Sequence, residues 1–288
     1  MLEKLNPTDR DGRIFDDLPV SIVIPLYNEQ AIITENLEAL GFFFDRLLGA
    51  GNWLFILVDN GSTDATPRLV AAALDRWPLS QAIHLADPNY GAALKAGLRS
   101  ASTKWVYLLD IEQWDLPFIT WAWNNRNCYD IFVASKRLDP TLNHQQPYRR
   151  VLSTGLNGVL QLFFGFSGTD THGPKLLNWF AMEAIVNKCE LGQGQFDTEF
   201  VLRAMRNRKR IVEVPIEYRE SRPHRNWMIK KIVGNLLALQ RLQRVMRNIP
   251  FEGSVRYYRV TREDVLAARQ TPVADAREEH ASFKAPQP

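Results

Sequence analysis

The chain has 288 residues, 45% of them hydrophobic and 23% charged, the balance of a globular protein and not of a disordered or fibrous one. Its net charge of +3 is too small to argue for nucleic acid, which would need clustered basic stripes. Two cysteines, Cys128 and Cys189, lie in different segments without metal-ligand spacing and are expected as free thiols of a reducing compartment.

Met1 to Asp17 is polar and acidic and lacks the apolar stretch of a secretory signal. No window reaches the roughly 18 uninterrupted apolar residues of a membrane span. The longest candidate, Ile229 to Met246, is broken by Lys230, Lys231, Gln240, Arg241, Gln243 and Arg244. The expectation is a cytoplasmic chain, soluble or resting on the cytoplasmic face of a membrane. Residues 1–18 read as an N-terminal extension, 19–250 as one α/β domain and 251–270 as a C-terminal extension. Residues 271–288, polar and alanine-rich without apolar period, read as a disordered tail.

Val20 to Pro25 is a short β-branched run closed by proline, and Trp53 to Val58 is a second apolar run; both predict buried parallel strands. Between them Ile32, Ile33, Leu37, Leu40, Phe44 and Leu47 recur at helical spacing, giving a β-α-β unit. The alternation continues with a helix over Thr63 to Leu74, a strand over Ala82 to Leu85, a helix over Gly91 to Ser100 and a strand over Trp105 to Leu109. Beyond these the spacing predicts a strand at Ile131 to Ala134 and helices at Arg149 to Phe164 and Asn178 to Asn187. A helix at Asp197 to Asn207 and a strand at Arg210 to Pro215 complete a single doubly wound, mostly parallel sheet flanked by helices. Ligands of such sheets bind beyond the carboxyl ends of the strands, where Asp59 and Asp110 both stand.

Pro25-Leu-Tyr27-Asn28-Glu29 follows the first strand and Asp59-Asn-Gly61-Ser62-Thr-Asp64 the second. Asp59 is suited to accept from a nucleobase N–H, with Asn28, Glu29 and the Gly61-Ser62 backbone around base and ribose. The plainer alternative makes Thr63 and Asp64 helix caps and Asn60-Gly61 a turn. Asp110-Ile-Glu112-Gln113 follows the fourth strand. Alternation along an extended segment would project Asp110 and Glu112 to one side as two hard oxygen ligands for Mg²⁺ or Mn²⁺. Such an ion neutralises a diphosphate leaving group. Asp197 opens a helix either as its N-cap or as a general base for a hydroxyl acceptor. Arg219, Arg222, His224 and Arg225, with Trp227, Lys230 and Lys231, form a basic segment suited to phosphate or to acidic lipid headgroups.

Together Pro25 to Glu29, Asp59 to Asp64, Asn89-Tyr-Gly-Ala-Ala-Leu-Lys95-Ala-Gly97 and Asp110-Ile-Glu112 resemble the inverting glycosyltransferases of family 2, which have the GT-A fold with a Rossmann-like nucleotide-binding half. The resemblance covers residues 19 to 245. It is greatest to the dolichyl- and polyprenyl-phosphate mannosyl- or glucosyltransferase branch, through Ser135-Lys-Arg137, Arg149-Arg150, Asn157, Asp170 to Lys175 and Val214-Pro-Ile216. It implies transfer of a hexose from GDP-mannose or a UDP-sugar to a polyprenyl phosphate. In that reading Asp59 contacts the base, and Asp110 and Glu112 hold the metal and diphosphate with help from Gln113. Arg137 and Arg150 face phosphates, and Pro25, Tyr27, Asn28, Glu29, Gly61, Ser62, Asn89, Lys95, Arg222 and His224 complete the nucleotide-sugar side. Two departures are Glu112, where the family has a second aspartate, and His172-Gly173-Pro174, where the branch has a small hydroxyl residue and an aromatic. The alternatives are a transferase acting on a sugar hydroxyl with Asp197 as base, and a non-catalytic nucleotide-binding relative. No Gly-x-Gly-x-x-Gly follows the first strand, which argues against a dinucleotide oxidoreductase.

Overall fold

The structure, a computed structural model, describes residues 20–219, 239–247, 249 and 255–267. Its first half alternates β1 (Val20–Leu26), α1 (Ile33–Leu48), β2 (Trp53–Asp59), α2 (Thr66–Arg76), β3 (Gln81–His84), α3 (Tyr90–Ser100) and β4 (Trp105–Leu108). Then come α4 (Leu116–Asn124), β5 (Ile131–Ser135), α5 (Pro147–Phe164), β6 (Lys175–Asn178), α6 (Trp179–Lys188), α7 (Phe196–Arg206) and β7 (Ile211–Pro215). A helical stretch at 239–246, strand β8 (Tyr257–Arg259) and a short helix Arg262–Ala267 follow.

The strands form one sheet in the order β3-β2-β1-β4-β6-β5-β7-β8. All neighbours are parallel except β6, which runs antiparallel to both β4 and β5. The expected doubly wound, mostly parallel sheet is therefore present. Inner strands are apolar on both faces because helices cover both. Val20, Ile22, Ile24 and Leu26 of β1 pack on one side with Leu37, Leu40 and Phe44 of α1. Val23 points the other way, with Leu54, Ile56 and Val58 of β2, to meet Leu94 and Leu98 of α3.

Helix α4 and strands β6 and β8 are among the elements with no counterpart in the sequence reading. Helix α4 starts at Asp115, whose carboxylate accepts from the Phe118 amide at 2.8 Å, with Pro117 in the first turn. Strand β6 is only four residues long and begins with a buried lysine, so neither length nor apolar pattern marks it. Strand β8 pairs with β7 at the sheet edge, Tyr257 opposite Ile211. The reversal at β6 matters for the site. Lys175 lies opposite Leu108 and Val133, so the loop entering β6 arrives at the edge where the parallel strands end.

Candidate active site

The nucleoside side is built by the turns after β1 and β2. Leu26 and Asp59 are register partners, and the turns beyond them are tied together. Asn28, at a φ of 56°, donates its amide to Ser62 Oγ at 3.0 Å and accepts from the Thr63 amide at 2.8 Å. The Glu29 amide donates to Thr66 Oγ1 at 2.8 Å. Asp59 is buried; one oxygen accepts from the Ser62 amide at 3.1 Å and the other lies 3.2 Å from His84 Nδ1. Gly61 has a φ of +73°, and a Cβ there would stand 3.1 Å from the Pro88 nitrogen, so glycine is what lets the two loops meet. The Asn89 amide then reaches Asn60 Oδ1 at 2.7 Å, while its side chain caps α3. Pro25, Tyr27, Asn28, Glu29, Asp59, Gly61, Ser62 and Asn89 thus share one edge. Lys95 points elsewhere: its ammonium donates to the Cys189 carbonyl at 2.8 Å and lies over the Phe196 ring. Asp64 accepts from the Thr66 amide at 2.9 Å and from the Gln30 amide at 3.2 Å, but the N-cap of α2 is Ala65, without a side-chain cap, so neither Thr63 nor Asp64 is the cap of the plainer alternative.

Asp110 stands two residues beyond β4, which ends at Leu108, one residue sooner than the sequence suggests. The segment is not extended. The Glu112 amide donates to Asp110 Oδ1 at 2.9 Å and the Gln113 amide to the Asp110 carbonyl at 3.2 Å, so these residues form a turn and not the strand alternation expected from the sequence. Gln113 Nε2 donates to the Arg219 carbonyl at 2.6 Å, joining this turn to the segment after β7. Among the described residues no group of three or more His, Cys, Asp or Glu side chains gathers as a metal cage. One or two carboxylates, completed by substrate phosphates and water, are nonetheless the donor set that Mg²⁺ commonly takes, and Asp110 and Glu112 supply two. The residues fit the ion.

The start of α7 carries a further acid. Asp197, 1% exposed, receives the Lys175 ammonium at 2.6 Å on Oδ1, and Lys175 also donates to the Gly173 carbonyl at 2.8 Å. The other Asp197 oxygen is buried and unpartnered among the described residues. The N-cap alternative for Asp197 does not hold, because its carboxylate binds a lysine instead of a backbone amide. Tyr90 was not singled out in the sequence. The residue is 36% exposed, and burial with the charges of Asp197 and Asp110 pushes its phenol well above its usual pKa. Glu199 is structural, accepting from the Glu190 and Leu191 amides and from Arg203 Nε at 2.6 Å. His172 Nε2 lies 2.8 Å from the Gly194 carbonyl and Nδ1 lies 2.9 Å from Thr171 Oγ1; a neutral ring donating at Nε2 satisfies both. Burial and Glu199 push the Cys189 thiol up to about 12, which leaves it unreactive.

The far side is set by β5 and α5. Arg137 follows β5 by two residues and donates from Nη2 to Thr154 Oγ1 at 3.3 Å; Thr154 in turn donates to the Arg150 carbonyl at 2.7 Å. Arg150, Thr154 and Asn157 are spaced along one side of α5, and Asn157 donates to the Gly168 carbonyl at 3.3 Å. Arg150 itself donates to the Pro140 carbonyl at 3.4 Å. Burial lowers the Arg137 pKa while Asp170 and Glu213 counter it, so both acids lie within its field. Arg222 and His224 lie outside the described residues.

The sequence model of the family described as glycosyl transferase family 2 matches residues 21–114, the span that holds β1 to β4, the Asp59 turn and Asp110-Ile-Glu112. Over that span the chain carries the sequence pattern of a family 2 glycosyltransferase domain. The chain is 27% identical over 228 residues to a dolichyl-phosphate beta-glucosyltransferase of Trichomonas vaginalis, covering 72% of this chain and 68% of that one. It is 29% identical over 207 residues to an undecaprenyl-phosphate 4-deoxy-4-formamido-L-arabinose transferase of Edwardsiella ictaluri, covering 70% of this chain and 60% of that one. The chain therefore spans about two thirds or less of the length of these relatives. Its fold is GT-A. A mannosyltransferase of Pyrobaculum calidifontis, solved in complex with GDP-Man and Mn²⁺, superposes with a TM-score of 0.52 at 17% identity, covering 82% of this chain and 65% of that one.

Proposed function

We propose that this chain is a family 2 glycosyltransferase that moves a hexose from GDP-mannose or a UDP-sugar to a polyprenyl phosphate at a membrane surface, with inversion at the anomeric carbon. The observation that carries the reading is the convergence of two kinds of charge on one sheet edge. Asp59 ends β2 and Asp110 follows β4, while Arg137 follows β5 and meets the Arg150 side of α5 through Thr154. Acids on the nucleotide side and arginines on the far side suit a donor held with a cation and an acceptor that is itself an anion.

In this reading Asp59 accepts from the base, and Asp110 and Glu112 hold Mg²⁺ or Mn²⁺. The ion, when bound, supplies positive charge against the diphosphate that leaves. Arg137, Arg150 and Thr154 orient the acceptor phosphate, one oxygen of which attacks the anomeric carbon as the bond to the diphosphate breaks on the opposite face. A phosphate oxygen is already deprotonated, so this attack needs no general base. That agrees with Asp197, which has one oxygen taken by Lys175.

Support for a lipid surface comes from α5. Its outward face carries Val151, Leu152, Leu162 and Phe163, and Leu162 is 79% exposed, an unusual surface for a helix facing water. No helix among the described residues is long and apolar enough to cross a membrane. The relatives named for dolichyl and undecaprenyl phosphates point the same way.

One observation favours a hydroxyl acceptor instead. The second Asp197 oxygen, buried and unpartnered among the described residues, is placed to take a proton. Radiolabelled GDP-mannose or UDP-glucose, Mn²⁺ and undecaprenyl phosphate separate the readings. Label entering the organic extract, and lost in Asp110→Asn, supports the lipid reading. Label that stays in water with a sugar acceptor and requires Asp197 would replace it.

A further inference from the structure

We propose that Tyr257 and Glu213 are positioning residues for Arg137, which makes the edge strand β8 a working part of the acceptor site. The proposal rests on the reading that Arg137 receives the acceptor phosphate. It starts from Glu213, fully buried on β7, whose carboxylate is surrounded by donors. Its Oε1 accepts from the Thr169 amide at 2.6 Å, the Asp170 amide at 3.0 Å and the Tyr257 hydroxyl at 3.0 Å. Its Oε2 accepts from the Thr169 hydroxyl at 3.0 Å and lies 3.6 Å from Arg259 Nε.

The hydroxyl directions follow from this. Thr169 gives its proton to Glu213, so the 2.7 Å contact between Ser135 Oγ and Thr169 Oγ1 has Ser135 as donor. Ser135 Oγ then accepts from the amides of Arg137 and Leu138, each at 3.2 Å, and fixes the turn on which Arg137 leaves β5. The relay runs from Tyr257 through Glu213, Thr169 and Ser135 to the Arg137 backbone, and Ser135 is buried as fully as Glu213. Strand β8 is held to the same loop a second time, since Arg259 Nη2 donates to the Ser167 carbonyl at 2.6 Å. Gly168 makes the approach possible, because a Cβ there would overlap the Tyr257 hydroxyl.

Arg137 needs such a support. Its guanidinium touches Thr154 through Nη2, and its Nε is buried and unpartnered among the described residues. Among the described residues no ion pair with a carboxylate aims it, so the backbone turn must. Side chains held by surrounding packing and hydrogen bonds are what keep a binding group in register.

Calorimetric titration with farnesyl phosphate tests this without turnover, alongside the melting-temperature rise given by GDP or UDP with Mn²⁺. Tyr257→Phe should weaken farnesyl phosphate binding about tenfold, the worth of one hydrogen bond to a charged group, and Glu213→Gln should weaken it similarly. The nucleotide shift should match the wild type in both. In an Arg137→Ala background Tyr257→Phe should have no further effect, since the two act through one group. Wild-type affinity in Tyr257→Phe, or equal weakening in both backgrounds, would overturn the positioning role alone. A wild-type chain that responds to nucleotide but does not bind farnesyl phosphate would remove the acceptor reading and this inference with it.

Discussion

Lys175 shows how much a single residue can decide. Its ammonium is buried in the middle of the site between the Asp197 carboxylate at 2.6 Å and the Gly173 carbonyl at 2.8 Å. Two buried charges tolerate each other only as a pair, and removing one leaves the other desolvated without compensation. Lys175→Met should therefore lower stability by about 3–5 kcal/mol, read as a shift of the urea midpoint. Adding Asp197→Asn should recover a large part of the loss, because it removes the stranded charge. An unchanged midpoint in Lys175→Met would mean that the pair is not buried as described. Nothing in the sequence pairs these two residues: they are 22 positions apart, and Asp197 at a helix start looks like an ordinary cap. Asp59 and Asp110 were legible for the opposite reason, since an acid at the end of an apolar run is marked by chain order alone.

Helix α5 carries two different faces at the scale of an element. Arg150, Thr154 and Asn157 run along the cleft side, Leu160 and Phe164 enter the core, and Val151, Leu162 and Phe163 look outward. The helical period was readable from Arg149 to Phe164, but which apolar residues face inward was not, because more of them are present than one core-facing stripe needs. The inward set is chosen by the loop at 165–174, to which Asn157 and Gln161 are tied through the Gly168 carbonyl. If the outward face meets lipid, the double substitution Leu162→Gln and Phe163→Gln should cut sedimentation with anionic vesicles severalfold while leaving the melting temperature within a degree or so, as expected for exposed positions. Equal sedimentation of variant and wild type would show that this face does not touch the membrane. Elements α4, β6 and β8 escaped the sequence reading because they are short and take their place from neighbours, not from their own periodicity.

The whole molecule sets a pH response. Burial raises the Glu213 pKa above its usual 4.5, despite the Thr169, Asp170 and Tyr257 bonds that oppose the shift. The folded chain thus holds this proton more tightly than the unfolded chain does. The stability it contributes is fully present below 4.5 and is lost as pH rises from 4.5 through the folded value. Calorimetric melting of wild type and Glu213→Gln across this range should show the wild type losing ground to the variant as pH rises. A constant difference, or one of opposite sign, would contradict the burial of this carboxyl. By itself the sequence determined the alternating β-α order, the acids and the Asn28 and Gly61 turns at the carboxyl ends of β1 and β2, and the resemblance to family 2 over residues 21–114. These depend on contacts close along the chain or on the strict period of buried strands. Only the tertiary structure decided that β6 runs backward, that Lys175 meets Asp197 and that Tyr257 reaches Glu213 from 44 residues away. Those contacts join distant segments whose local sequence carries no record of the partner.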